Sequence, residues 1–84
     1  DNIQSDTSLK IYPNPASHVL RIEGLSRSKS TIELYNALGI CVLREKTHSE
    51  KTEIDVSRLN DGVYLIKVTG GNKTTTEKVE IKRP

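Results

Sequence analysis

The spacing of the apolar residues is the feature that most constrains this chain. They alternate with polar residues in seven short bursts, and a period of two turns one face of an extended strand inward. The bursts predict strands at residues 8–12, 18–24, 30–36, 39–46, 51–57, 62–70 and 73–82. Their starts lie 9 to 12 residues apart, which is typical of an all-β sandwich or barrel, and no window sustains the apolar stripe of a helix.

The composition supports this interpretation and indicates a thin, aliphatic core. Ile and Val together outnumber Leu and Thr is frequent, which favours pleated surfaces, while Phe, Trp and Met are absent. A chain of 84 residues is expected to have a total stability of about 4–13 kcal/mol, so the loss of one strand can unfold it. The residues expected to face the core are Leu9, Ile11, Leu20, Ile22, Ile32, Leu34, Ile40, Val42, Ile54, Val56, Tyr64, Ile66, Val68, Val79 and Ile81.

Proline and glycine mark the connections between the predicted strands. Pro13 and Pro15 remove two backbone donors and bias the residues before them away from the α region, so this segment ends a strand or turns. Gly39 closes a compact turn in which a positive φ is available to it, and Gly70-Gly71-Asn72 joins the last two strands as a hairpin. We expect residues 1–7 to be a flexible linker and residues 8–84 to form one domain.

The stretch that runs from Leu59 through Asp61-Gly62 to Tyr64 indicates the type of sandwich. A leucine, a turn and a tyrosine that opens the penultimate strand resemble the tyrosine corner of immunoglobulin-like domains. The Cys and Trp hallmarks of antibody domains are missing. The sequence therefore predicts a seven-stranded, antiparallel, immunoglobulin-like β-sandwich with Greek-key-like connections.

The residue types that carry chemistry are few and scattered. Cys41 lies between Ile40 and Val42, and we expect an inert thiol that fills the core; a single cysteine also excludes an intrachain disulfide. His18 and His48 lie thirty positions apart, whereas a metal site needs three or four converging ligands. A Cys-His dyad would need an orienting group and an oxyanion hole that the sequence does not suggest.

A calcium loop and a nucleic-acid surface are not indicated either. Asp55, Asn60, Asp61 and Gly62 do not have the ligand spacing of an EF-hand, so we expect a turn that satisfies its own backbone. The formal net charge is +2 without a clustered basic patch, which argues against a nucleic-acid partner. We therefore predict no catalytic residues, no metal and no cofactor, and we do not expect an enzyme.

The last predicted strand has two distinct faces. Val79 and Ile81 face inward, whereas Lys78, Glu80 and Lys82 face outward. Two interpretations remain open. The charges protect an edge strand from aggregation, or they form a strip that a partner reads, since both uses need the same residues.

Four motifs taken in order resemble a known family. They are Ile11-Tyr12-Pro13-Asn14-Pro15-Ala16, then Ile32-Glu33-Leu34-Tyr35-Asn36-Ala37-Leu38-Gly39, then the run from Ile54 to Val68, and then a Lys-Val-Glu-Ile-Lys finish. Together they resemble the C-terminal sorting domain of the bacterial type IX secretion system, from about residue 9 to the end, and they are similar to the tails of gingipain-type secreted proteases.

The resemblance implies a non-catalytic export signal fused to an upstream cargo protein, which in this family can be a secreted protease. Cargo of this kind enters the periplasm by its own signal peptide and crosses the outer membrane through the type IX translocon. A sortase then usually cuts upstream of the domain and attaches the cargo at the cell surface, so we expect a periplasmic and then a surface or extracellular location.

The resemblance and the residues together give two sets of candidate site residues. The expected structural signature is Pro13, Asn14, Pro15, Gly39, Asp55, Leu59, Gly62 and Tyr64. The candidates for recognition by the translocon, taken from the last strand and the chain end, are Lys78, Val79, Ile81, Lys82, Arg83 and Pro84. The Arg83-Pro84 finish departs from the commonest family pattern.

An alternative class remains open at this point. The domain could be an immunoglobulin-like binding or adhesion module of a secreted bacterial protein, docking a glycan or a partner through an edge strand. Exchange of a first or last strand between two copies would give a homodimer. A glycan-binding module would need an exposed aromatic platform, and only Tyr12, Tyr35 and Tyr64 are available.

Overall fold

A computed structural model describes residues 9–26 and 28–84 and shows seven strands. The strands are β1 (Lys10–Tyr12), β2 (Val19–Glu23), β3 (Ser30–Tyr35), β4 (Cys41–Thr47), β5 (Lys51–Asp55), β6 (Gly62–Gly70) and β7 (Lys73–Ile81). All seven predicted strands are confirmed, with ends shifted by at most two residues. The linker predicted at residues 1–7 lies outside the described residues.

The strands form two antiparallel sheets that pack face to face. One sheet has the order β1-β2-β5 and the other has the order β4-β3-β6-β7. The pairs β2–β5 and β3–β6 join strands that are not consecutive, so the chain crosses between the sheets as in a Greek key. The predicted immunoglobulin-like β-sandwich is confirmed. Within the described residues, no helix is long and apolar enough to cross a membrane.

The core lies between the sheets and follows the alternation in the sequence. Inward positions of β2, β3, β6 and β7 are buried while their neighbours are exposed or half-buried. Leu9, Ile11, Leu43 and Leu59 pack against the core from its margins. The buried apolar residues are Ala16, Leu20, Ile22, Leu25, Ile32, Leu34, Ile54, Val56, Tyr64, Ile66, Val68, Val79 and Ile81.

Strand β4 differs from the prediction. Ile40 and Val42 were expected to face the core and Cys41 to be a buried thiol, but Ile40 is 56% exposed, Val42 is 36% exposed and Cys41 is exposed. These three predictions are wrong. Strand β4 is an edge strand of the four-stranded sheet, and Leu43 is its apolar residue that packs against the core.

A β-bulge explains why the alternation was misleading here. Leu34 pairs with Leu43, but its neighbour Tyr35 pairs with Cys41, so Val42 has no residue opposite it. An extra residue of this kind reverses which side chains face inward on the two sides of the bulge. Cys41, opposite the half-buried Tyr35, therefore lies on the outer side of the sheet, and Val42 is the extra residue of the bulge.

Backbone conformation or close contact explains the glycines at two of the turns. Gly39 has a φ of +81° in the turn between β3 and β4, as predicted, and its N–H donates to the carbonyl of Asn36 at 2.9 Å. Gly70 ends β6 beside Ser30, where a Cβ atom would lie 2.7 Å from the Ser30 hydroxyl oxygen. Gly71 follows in the hairpin turn with a φ of +60°, so the predicted last hairpin is confirmed.

Candidate functional site around the last strand

Strand β7 lies at one edge of the four-stranded sheet. Val79 and Ile81 are each 1% exposed, whereas Lys78, Glu80 and Lys82 are exposed, so the predicted two-faced strand is confirmed. The side chains of Val79 and Ile81 are out of reach of a partner in the folded domain. Any contribution they make to recognition comes from holding the strand in place.

The second half of β7 is covered along its outer edge by the segment that follows β1. The Ala16 N–H donates to the Glu80 carbonyl at 2.8 Å, and the Lys82 N–H donates to the Ala16 carbonyl at 2.8 Å. The side-chain amide of Asn14 extends this pairing, since its Nδ2 donates to the Lys78 carbonyl at 3.3 Å and its Oδ1 accepts from the Glu80 N–H at 2.9 Å. An amide carries both a donor and an acceptor and can therefore replace a backbone unit.

The two prolines of the signature flank Asn14 in this covering segment. Strand β1 ends at Tyr12, directly before Pro13, as predicted. The Tyr12–Pro13 and Asn14–Pro15 peptide bonds are both cis. Because proline has no backbone N–H, these positions add no unpaired donor to an exposed segment.

Arg83 follows β7 and joins it to the connection between β5 and β6. Its guanidinium donates from Nη2 to the Val56 carbonyl at 2.8 Å and from Nη1 to the Leu59 carbonyl at 2.7 Å. Nη1 also contacts Asp61 Oδ1 at 3.1 Å, and the Arg83 side chain is 25% exposed. The sequence placed Arg83 among the exposed contact residues, whereas the structure directs its guanidinium into the domain.

The same connection contains the predicted tyrosine corner. The hydroxyl of Tyr64 donates to the Asn60 carbonyl at 2.7 Å, and the ring is 7% exposed. Leu59 packs against the core on one side of the turn, and Gly62 begins β6 on the other. The tyrosine corner is confirmed.

Asp55 stabilises the beginning of this connection. Its Oδ1 accepts hydrogen bonds from the Ser57 hydroxyl at 2.6 Å and from the Ser57 N–H at 2.9 Å. These hydrogen bonds, first that of the hydroxyl and then that of the backbone, hold the pKa of Asp55 below its usual value. The turn satisfies its own backbone, as the sequence predicted.

The other face of the molecule carries a shallow groove on the three-stranded sheet. Tyr12, Arg21, Glu23 and Glu53 are among the residues that line it. The Tyr12 hydroxyl donates to Glu23, and Arg21 pairs with Glu53 at 2.9 Å. These four polar side chains therefore pair with one another.

A comparison of the sequence with protein families decides the identity. The model described as the secretion system C-terminal sorting domain matches residues 10–82. The chain belongs to this family. It is a C-terminal sorting domain of the type IX secretion system, and its family role is that of a secretion signal rather than a catalyst.

Two curated proteins are similar to this sorting domain in sequence. Beta-agarase D of Zobellia galactanivorans is 35% identical over 79 residues, which is 94% of this chain and 15% of the agarase. Ulvan lyase NLR42 of Nonlabens ulvanivorans is 30% identical over 70 residues, which is 82% of this chain and 13% of the lyase. The sorting domain thus spans a small part of the length of these relatives, and the family supports export to the cell surface or the extracellular space.

A solved structure has the same fold. It comes from a study of PorZ, described as a surface component of the type IX secretion system of Porphyromonas gingivalis. The TM-score is 0.78 at 18% identity, covering 95% of this chain and 12% of that one. At this identity the likeness shows the fold alone.

The structure brings most of the predicted signature of the sorting domain together around β7. Asn14 contacts β7 directly. Leu59 contacts Arg83, the second residue after the end of β7. Gly39 lies apart, in the β3–β4 turn. Sequence reasoning missed the backbone pairing of Ala16 with β7 and the ion pair of Arg83 with Asp61. The available signal for the ion pair was an arginine two positions after Ile81, the last buried residue of β7. Among the described residues, no group of three or more His, Cys, Asp or Glu residues could hold a metal ion.

Proposed function

We propose that this sorting domain is a folded export signal that the type IX outer-membrane translocon recognises through the sandwich or its last strand. The cargo first enters the periplasm by its own signal peptide. A sortase then cuts upstream of the domain and attaches the cargo at the cell surface. The single observation that supports this proposal is the match to the sorting-domain family across residues 10–82.

The contacts around β7 support an export signal that is recognised by its folded shape. Arg83 and the segment from Asn14 to Ala16 fix the last strand through hydrogen bonds to backbone groups. The exposed side chains of Lys78 and Lys82 are then displayed on a strand of fixed position. We propose these two lysines, with Arg83, Pro84 and the buried pair Val79 and Ile81 behind them, as the region that recognition depends on.

We propose that the upstream cargo is a secreted enzyme. Both sequence relatives carry enzyme names, and the matched region is 15% of one and 13% of the other. The rest of each relative is long enough to contain a catalytic domain.

A fusion experiment tests the export function. Residues 1–84, attached behind a periplasmic reporter in a bacterium with a working type IX system, should carry the reporter to the cell surface. A matched control replaces Ile66, which is fully buried, with Asp, so that the sandwich no longer forms. Retention of the unaltered fusion in the periplasm, or surface delivery by the unfolded control, would contradict the proposal.

A second pair of variants separates shape from contact. Deletion of residues 79–84 removes Val79, Ile81 and Arg83 and should abolish export by unfolding the domain, which circular dichroism would show. The double variant Lys78→Glu/Lys82→Glu changes only exposed charges and should keep the fold. We expect it to lower export, while the same reversal at the exposed residues Lys29 and Lys46 leaves export unchanged.

A further inference from the structure

The first half of β7 has an outer edge that the covering segment does not reach. Neighbouring residues of an antiparallel strand direct their N–H and C=O groups to opposite sides. The outward hydrogen bonds of Glu80 and Lys82 fix this alternation, and β7 pairs with β6 without a register shift from Lys73 to Ile81. The N–H and C=O groups of Thr74 and Thr76 therefore also face outward. Among residues 9–26 and 28–84, no segment pairs with them.

Both halves of β7 carry charges, but in the uncovered half Lys73 and Glu77 flank residues 74–76 and do not lie among them. Lys78, Glu80 and Lys82 stand beside the covering segment, whereas residues 74–76 are three threonines. Threonine is β-branched and favours strands, so this stretch is suited to pairing.

The other strand edges of the described sandwich are protected. Strand β4 contains a bulge and the charged run Arg44-Glu45-Lys46. Strand β5 carries Lys51, Glu53 and Asp55, and β1 is three residues long. Bulges, charges and short length are the devices by which proteins prevent edge pairing. The open half of β7 has none of them at Thr74 and Thr76.

We propose that residues 74–78 of β7 bind an extended segment of the export machinery by strand addition. This inference rests on the proposed function. The N–H and C=O groups of Thr74 and Thr76 and the N–H of Lys78 form an outward row of main-chain donors and acceptors, while the Lys78 carbonyl accepts from Asn14. The ligand that satisfies such a row is another extended backbone. Lys78 faces outward at one end of the stretch, so the added strand is expected to carry an acidic or uncharged side chain opposite it.

A second copy of the domain fits this edge less well. Two antiparallel β7 strands that use the whole of residues 74–78 must be centred on Thr76, which places Glu80 of one copy opposite Asn72 of the other. The outward groups of Glu80 are already bonded to Asn14 and Ala16, so this covering segment would lie between the two copies. A strand from another protein can end before Asn14 and meets no such obstacle.

Two single substitutions and one control test the proposal in the reporter fusion. Thr76→Pro removes an outward N–H, and Thr74→Lys adds an edge charge; both residues are exposed. Each is expected to lower the exported reporter by about tenfold or more, since several main-chain hydrogen bonds are lost together. Thr69→Lys is the control, because Thr69 pairs directly with Thr74 on the same face but lies one strand inward. It should export like the parent.

The outcomes are distinguishable from failure of the proposed function. If the parent fusion stays in the periplasm, the export function itself is wrong. If the parent is exported and both edge variants, shown by thermal melting to be folded, are exported equally, strand addition at β7 is wrong. If Thr76→Pro alone unfolds, Thr74→Lys decides. A dimer seen by sedimentation that Thr74→Lys dissolves without loss of export would assign the edge to a second copy and overturn the proposal.

Discussion

The two edge strands of the four-stranded sheet, β4 and β7, show how one sequence pattern gives different results. Apolar residues recur at every second position at one end of each, with Ile40 just before β4 and Val42 within it, and with Val79 and Ile81 at the end of β7. The pair on β7 is buried, whereas the pair on β4 is exposed. Burial is therefore set by what covers the strand and by register, and the alternation alone does not decide it.

The two edges also differ in how they are held. The end of β7 receives hydrogen bonds from Asn14 and Ala16, and Arg83 binds it to the β5–β6 connection. Strand β4 pairs with β3 on one side only and carries a bulge. We therefore expect substitutions at the β7 edge to cost far more stability than matched substitutions at the β4 edge.

The largest difference is expected for the matched pair Val79→Ala and Val42→Ala. Val79 is 1% exposed, so losing two methyl groups and leaving a cavity should lower the free energy of unfolding by about 2–3 kcal/mol. Val42 is 36% exposed, and its replacement should cost less than about 0.5 kcal/mol. Urea unfolding followed by circular dichroism measures both. Equal costs would show that the edges are not different.

A smaller difference is expected between Arg83→Ala and Arg44→Ala. Removal of Arg83 takes one donor from the Leu59 carbonyl and one from the Val56 carbonyl, which keeps the Leu59 N–H, and we expect a loss of about 1–2 kcal/mol. Arg44 is 62% exposed and contacts Glu33 at 3.5 Å, so its removal should cost less than about 0.5 kcal/mol. Chemical denaturation compares the two variants. A neutral Arg83→Ala would mean that this arginine does not hold the end of β7.

The tyrosine corner gives a third contrast, between Tyr64→Phe and Tyr35→Phe. Tyr64→Phe keeps the ring in the core but leaves the Asn60 carbonyl without its donor, and the expected cost is about 1 kcal/mol. Tyr35 is half-buried on the outer face beside β4, so we expect a change below about 0.5 kcal/mol. Thermal melting of the two variants measures the difference, and a lower melting temperature for Tyr35→Phe would reverse the prediction.

The smallest effect is a pH dependence at Asp55. Hydrogen bonds from Ser57 lower the pKa of this carboxyl in the folded state below its ordinary value of 3.8. The stabilisation is therefore present at pH values above that ordinary value and is lost as the pH falls through the folded pKa. Ser57→Ala should move the pKa of Asp55 back toward the ordinary value in a carbon-detected NMR titration. The exposed Ser49→Ala variant should leave it unchanged.

The strands could be predicted from sequence because each depends on local alternation and on nearby turn residues. The tyrosine corner was also predictable, since Leu59, Gly62 and Tyr64 lie within one short stretch. Which residues of β4 face the core was not predictable, because a bulge leaves no clear mark in the sequence.

The residues of the candidate site could be predicted from the sequence better than the contacts between them. Asn14 and the last strand were identified as important, but their direct pairing depends on residues 66 positions apart. The side chain of Arg83 points inward because it binds carbonyls of an earlier loop, and one of them, that of Leu59, lies 24 residues before it. Contacts over such separations follow from the closed sandwich, which a single sequence does not reveal.

The pairing of Asn14 with Glu80 also sets the stage of synthesis at which the domain can fold. Asn14 is synthesised first, and its side-chain amide can bind the Glu80 N–H only after 66 more residues have been added. A prematurely terminated polypeptide that lacks the region around Glu80 and Arg83 cannot close the sandwich. The folded sorting domain can therefore form only after its last strand has been synthesised.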